Sequence, residues 1–166
     1  WLYDKSDSKQ TTVETGAGHS TVAFMLKGTN HTCICPHGPT VERIKKFAKD
    51  EFNIDSNVKF IVDKSENVVP NLEGEFDIAL IDGSHSFPVT IIDWFYLGNL
   101  LKVNGYAVVD DCHLNACKLL AKFLDSDVGW ELENIINFCR FYKKKMKFRT
   151  LHWTQEGDES YYSDMK

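Results

Sequence analysis

Carboxylates in this sequence collect where short apolar runs stop. Val13-Glu14-Thr15 runs into Gly16-Ala17-Gly18, a second run ends at Asp82-Gly83-Ser84-His85, and a third ends at Asp110-Asp111-Cys112-His113. In an open α/β sheet ligands bind outside the carboxyl ends of the strands, where strand order reverses, so three such ends would deliver acid to one crevice. Crowded carboxylates raise one another's pKa unless a cation or hydrogen-bond donors offset the charge. A divalent metal is the simplest offset. Oxygen ligands from Asp82, Asp110 and Asp111 suit a hard cation such as Mg²⁺, which keeps some waters and leaves positions for substrate oxygens. The alternative is that one or two of these acids cap the following helix. Gly16 and Gly18 would let backbone approach a ligand, and the helix start beyond them supplies free N–H groups. A nicotinamide fingerprint would want a further glycine at position 21, where Thr21 stands, and an acid about twenty residues on.

The elements that must position these groups alternate between short β-branched runs and longer amphipathic stretches, the pattern of a parallel sheet covered by helices. Strands are expected at residues 11–15, 31–35, 58–62, 76–81 and 106–109. Helices are expected at 20–27, with Ser20 as N-cap, and at 40–52, 88–101 and 114–125. In the second of these Val41, Ile44, Phe47 and Ala48 share one stripe. After the last helix, 130–136 and 138–144 read as an antiparallel hairpin. Residues 1–154 form one domain and 155–166 a polar tail. The basic run Lys143, Lys144, Lys145, Lys147 and Arg149 reads as protection of a sheet edge.

A chain of 166 residues with 43% hydrophobic and 26% charged residues suits one soluble globular domain. The net charge of −5 argues against nucleic acid, whose affinity depends on neutralising phosphates, and favours a small-molecule substrate. Five cysteines, an odd number without a disulfide pattern, point to a reducing, cytoplasmic setting. No stretch approaches the ~18 apolar residues of a membrane span, and residues 1–10 lack a signal-peptide apolar region. The chain begins at Trp1 rather than Met, which reads as a fragment or a trimmed chain. His31, Cys33, Cys35 and His37 share a strand face, but alternate residues on a straight strand span too far to close one tetrahedral site, so packing is the preferred reading. Trp94, Phe95, Tyr96 and Leu97 read as core. A homo-oligomer stays open.

Val13-Glu14-Thr15-Gly16-Ala17-Gly18-His19-Ser20-Thr21 resembles the first motif of class I S-adenosylmethionine-dependent methyltransferases. Residues 76–85, from Phe76-Asp77 to Ser84-His85, then Asp93, Leu100, Gly105 and Val109-Asp110-Asp111, are similar to the small-molecule O-methyltransferase branch of macrolide-sugar methyltransferases and cephalosporin hydroxylase-like proteins. The resemblance spans roughly residues 11 to 113, the length of five β/α units. It implies a doubly wound, Rossmann-like seven-stranded sheet, mostly parallel, whose last two strands form an antiparallel hairpin. It implies that Glu14, Gly16, Ala17, Gly18 and Ser20 line the methionine end of S-adenosylmethionine, that Asp63, Lys64 and Ser65 lie near its adenine, and that Asp82 and His85 border it. Asp82, Asp110 and Asp111 match the branch's metal ligands and His85 its base. At the second strand the branch usually ends in an acid that binds both ribose hydroxyls, whereas this chain has Cys35-Pro36-His37-Gly38.

The chemistry implied is methyl transfer to a hydroxyl, with a cation lowering the hydroxyl's pKa and His85 removing its proton. A catalytically silent binding protein of the same fold and a nicotinamide oxidoreductase are the competing readings.

Overall fold

A computed structural model describes residues 1–55 and 58–147, so the expected tail at 155–166 and Arg149 lie outside the described residues. Seven strands form one sheet: β1 (Thr11–Thr15), β2 (Asn30–Ile34), β3 (Lys59–Ile61), β4 (Phe76–Ile81), β5 (Leu101–Val109), β6 (Trp130–Ile136) and β7 (Cys139–Lys144). Among the described residues, six helices surround it: α1 (Leu2–Lys5), α2 (His19–Lys27), α3 (Gly38–Phe52), α4 (Ser65–Val68), α5 (Val89–Leu100) and α6 (Asn115–Ser126). A 3₁₀ turn at Val69–Asn71 follows α4. The strand order is β3-β2-β1-β4-β5-β7-β6. β1 to β5 pair in parallel, and β7 runs antiparallel to both β5 and β6. This is the seven-stranded, doubly wound architecture with a terminal hairpin that the family resemblance implied.

Strands buried on both faces read as near-continuous apolar runs. Phe76-Asp77-Ile78-Ala79-Leu80-Ile81 shows why. Ala79 and Ile81 join Val13, Trp94, Leu97, Val109, Leu120 and Tyr142 in one cluster, while Ile78 and Leu80 join Phe24, Val108 and Phe141 in another. On α3 the buried residues are Val41, Ile44 and Ala48. Phe47 does not share their burial; it is exposed and meets Phe52 edge-on at 5.8 Å between ring centroids.

Several local features differ from the residue pattern, the short α4 among them. The segment α1 is too short for periodicity to reveal it; it is seated by Trp1, whose ring lies 4.3 Å from that of Phe141, and by Lys5, paired with Glu133 at 2.6 Å. β5 starts five residues earlier than expected, because the Phe76–Leu101 pairing resumes at Ile78–Tyr106 across an irregularity that contains Asn104 at φ 69°. The lysines of β7 do not guard an edge: β7 lies between β5 and β6, and Lys144 is buried, its Nζ donating to the carbonyls of Gly98 (2.8 Å) and Leu101 (2.7 Å). Among the described residues, no helix is long and apolar enough to cross a membrane.

Candidate active site

Strand order reverses between β1 and β4, the crevice position of an open α/β sheet. The ladder bonds continue one residue past the strand ends. Gly16 N–H donates to Ile34 O (2.9 Å), Asp82 N–H to Thr15 O (3.1 Å) and Asp110 N–H to Ile81 O (3.1 Å). Gly16, Asp82 and Asp110 therefore stand side by side although 94 residues of chain separate the first from the last.

Gly16 has φ +91°, and a Cβ there would sit 2.0 Å from the carbonyl oxygen of Asp82. Glycine is thus required for the chain after β1 to lie against the chain after β4. A Cβ at Gly18 meets nothing within 4 Å. That open space lies at the N-terminus of α2, where backbone N–H groups lack helical partners and favour an electron-rich ligand.

Glu14 is 1% exposed and faces α2 rather than open crevice. Its carboxylate accepts the Ser20 hydroxyl at 2.7 Å and the Thr21 hydroxyl on its other oxygen. Thr21 Oγ1 in turn accepts Gly18 N–H at 3.0 Å. Ser20, expected as N-cap, lies inside the helix, and Gly18 occupies the cap position. The acid therefore fastens the glycine turn to the first turn of α2. Thr21 closes the quoted motif, but its role between Glu14 and Gly18 exists only because β1 and α2 fold back on one another.

Beyond β4, His85 stands between two acids. Its Nε2 lies 3.4 Å from Asp82 Oδ1 and its Nδ1 lies 3.4 Å from Asp111 Oδ2. Among the described residues, Asp82, His85 and Asp111 form the group of metal-capable side chains whose donor atoms all lie within 4.8 Å of one another. The side chains are 31%, 26% and 34% exposed, open enough to meet a substrate. Asp111 adopts φ 50°, a left-handed conformation that Asp tolerates better than most residues. Asp110, expected as the third oxygen ligand, is not in this group; its Oδ1 accepts Asp111 N–H at 2.8 Å. Its charge is still felt, since burial first and Asp110 second push the Asp82 carboxyl up to about 6, against the opposing pull of His85.

The segment after β3 behaves differently at each residue. Asp63 is exposed, and its Oδ1 accepts Lys64 N–H (2.7 Å) and the Asn67 amide (3.0 Å), starting α4. Ser65 is buried and its hydroxyl donates to Asp93 Oδ2 at 3.0 Å. Burial pushes the Asp93 carboxyl up to about 6. After β2 no acid is present: His37 Nδ1 meets Thr40 Oγ1 at 2.8 Å on the surface, and Cys35 is buried. His31, Cys33, Cys35 and His37 do not converge; His31 and Cys33 are fully buried in the sheet.

Next to Asp111 lies a cavity of about 150 Å³, with Cys112, His113, Phe138 and Arg140 among its lining residues. The His113 ring packs 4.3 Å from that of Phe138 and its Nδ1 is 3.6 Å from Asp111 Oδ1. The hairpin tip contributed by β6 and β7 thus forms one wall beside the acidic group.

A family profile described as "Methyltransferase domain" matches residues 13–112, which runs from β1 through Asp82 and His85 to the end of β5. No curated protein matches by sequence. Among solved structures, an rRNA methylase from Streptococcus thermophilus aligns at TM-score 0.68 with 14% identity, over 87% of this chain and 92% of that one. A methyltransferase from Podospora anserina, bound to S-adenosylhomocysteine, aligns at 0.63 with 18% identity, over 82% and 72%. A Staphylococcus aureus protein described as a caffeoyl-CoA O-methyltransferase aligns at 0.63 with 17% identity, over 81% and 76%. At such identities these likenesses establish the fold, whereas the profile spans more than half of the chain and takes in all three strand ends. The chain belongs to the methyltransferase-domain family and has the class I methyltransferase fold.

Proposed function

We propose that this methyltransferase acts on a hydroxyl of a small molecule, with a divalent cation, Mg²⁺ or a similar ion, held at Asp82 and Asp111. The observation that carries the proposal is the convergence of Asp82, His85 and Asp111 within 4.8 Å, beside a glycine turn whose Gly18 opens onto free space.

The cofactor fits this arrangement. Gly18 leaves room at the N-terminus of α2, and Glu14, Ser20 and Thr21 hold that turn in place. The donor set fits a cation: two carboxylates, with Asp110 adding charge behind them, suit a hard ion that retains water, and a nearby imidazole also admits Mn²⁺. S-adenosylmethionine supplies an electrophilic methyl group, and a divalent cation supplies the charge that makes a hydroxyl acidic.

The chain's own residues do the rest. Asp82 and Asp111 would hold the cation, whose charge would attract an acceptor oxygen to this side of the crevice. His85, between them, is placed to take the hydroxyl proton onto a ring nitrogen. Asp111 and Asp82 then face the imidazole at the distances already seen, 3.4 Å each. His113, Phe138 and Arg140 border the space an acceptor would enter. Most of the rate gain in such a site comes from holding the two reactants in line and excluding water.

A net charge of −5 supports a small acceptor over nucleic acid, because RNA binding rests on neutralising phosphates. The likeness to an rRNA methylase lies in the fold. The test is mass spectrometry after incubation with methyl-labelled S-adenosylmethionine and a mixture of diols, phenols and RNA, with Mg²⁺ or with a chelator. Label on an acceptor oxygen, lost on chelation, supports the proposal; label on nucleic acid alone overturns it.

A further inference from the structure

Behind the glycine turn runs a row of buried polar side chains that the reaction as described does not use. Thr29 Oγ1 lies 3.0 Å from Thr12 Oγ1, which lies 2.8 Å from His31 Nδ1. The opposite ring nitrogen, His31 Nε2, stands 3.1 Å from Glu14 Oε1. Thr12, Thr29 and His31 are 0% exposed and Glu14 is 1% exposed. The imidazole is further held by the Phe24 ring, stacked at 4.4 Å and 24°. Thr12, Glu14 and Phe24 thus fix the ring on three sides.

His31 Nε2 is a buried nitrogen without a well-angled hydrogen bond, and the group it faces is Glu14. Buried polar atoms nearly always have a partner, so a ring nitrogen aimed at a single buried carboxylate calls for an explanation. Here the edge is spent on the carboxylate that accepts Ser20 and Thr21, and Thr21 accepts Gly18 N–H. The ring therefore sits at the inner end of a chain of contacts whose outer end is the backbone amide bordering the cofactor space.

We propose that His31 is a positioning residue for cofactor binding: it holds the Glu14 carboxylate against Ser20 and Thr21, and so fixes Gly18 and the first turn of α2. The inference rests on the methyltransferase reading for what occupies that space. It assigns His31 no contact with the cofactor. Groups that orient a ligand-holding side chain from behind commonly change affinity when removed, even though they touch nothing that binds.

The test is calorimetric titration of S-adenosylhomocysteine into the wild type, His31→Phe and His31→Gln, with thermal melting of each. His31→Phe keeps the ring volume and the stack on Phe24 but loses the nitrogen, and weakens binding by about tenfold or more. His31→Gln can donate an amide N–H to Glu14 and restores much of the affinity. Rescue by Gln separates positioning from packing, because Gln fills the aromatic space less well than Phe. If His31→Phe does not fold, Thr12→Val carries the test: it leaves the imidazole in place but frees Nδ1, which lowers the melting temperature, and weaker binding measured well below that temperature is expected. Equal affinity for wild type and every folded variant overturns the inference. A wild type that does not bind S-adenosylhomocysteine contradicts the cofactor reading itself.

Discussion

The Ser65 hydroxyl and the Asp93 carboxylate meet at 3.0 Å, joining the turn after β3 to the helix that follows the Asp82 loop. Asp93 is 0% exposed and its carboxyl is pushed up to about 6 by burial. An unfolded Asp titrates near ~3.9, so between about pH 4 and 6 the folded state binds more protons than the unfolded state. This group's contribution to stability is therefore greatest below that window and falls as pH rises through it. Asp93→Asn removes the effect. The difference in unfolding free energy between wild type and variant, from urea titrations, should change by about 2 kcal/mol between pH 4 and pH 7, in the direction that favours the variant at pH 7. A pH-independent difference contradicts the assignment.

Lys144 donates to the carbonyls of Gly98 and Leu101 where α5 gives way to β5. Lys144→Met keeps the aliphatic stem but leaves both buried acceptors short of a donor. The expected loss is about 2–4 kcal/mol in urea unfolding. A loss below about 1 kcal/mol would show that other groups replace the ammonium.

The arrangement at β7 also shows where local reading stops. The sheet itself was legible, since strands such as β4 are apolar on both faces and nothing else buries such a run. Lys144 looked like edge protection because the carbonyls that receive it lie 43 and 46 residues earlier in the chain. The same limit applies at the site. Glu14, Gly16, Asp82 and His85 could be picked out as chain punctuation, but that Glu14 faces Ser20 and Thr21 depends on how α2 folds back. Which of the adjacent acids Asp110 and Asp111 joins His85 depends on the left-handed turn at Asp111. The α1 segment, at four residues, offers no period to detect.

Gly16 and Gly18 should respond differently to alanine. At Gly16 the new Cβ would lie 2.0 Å from a backbone oxygen at φ +91°, so Gly16→Ala should destabilise the fold by about 2 kcal/mol or more. At Gly18 the new methyl enters open space. Gly18→Ala should melt close to the wild type yet bind S-adenosylhomocysteine about tenfold more weakly, by occupying room the cofactor needs. Unaltered affinity in Gly18→Ala would place the cofactor elsewhere.

Cation affinity should depend on pH through Asp82. With its carboxyl pushed up to about 6, the proton competes with the ion below that value, so Mn²⁺ binding should weaken as pH falls from 7 to 5, approaching about tenfold per unit. Asp82→Asn should bind Mn²⁺ more weakly at pH 7 and lose most of this dependence. The readout is the free Mn²⁺ signal by electron paramagnetic resonance.

Cofactor and cation should meet at the reversal point of the sheet, between β1 and β4. The decisive experiment is a crystal structure with S-adenosylhomocysteine and Mn²⁺, the metal located by its anomalous scattering. The metal should lie within coordination distance of Asp82 and Asp111, and the cofactor's methionine end against Gly18 at the start of α2. Manganese bound away from both carboxylates, or S-adenosylhomocysteine seated off the glycine turn, would contradict it.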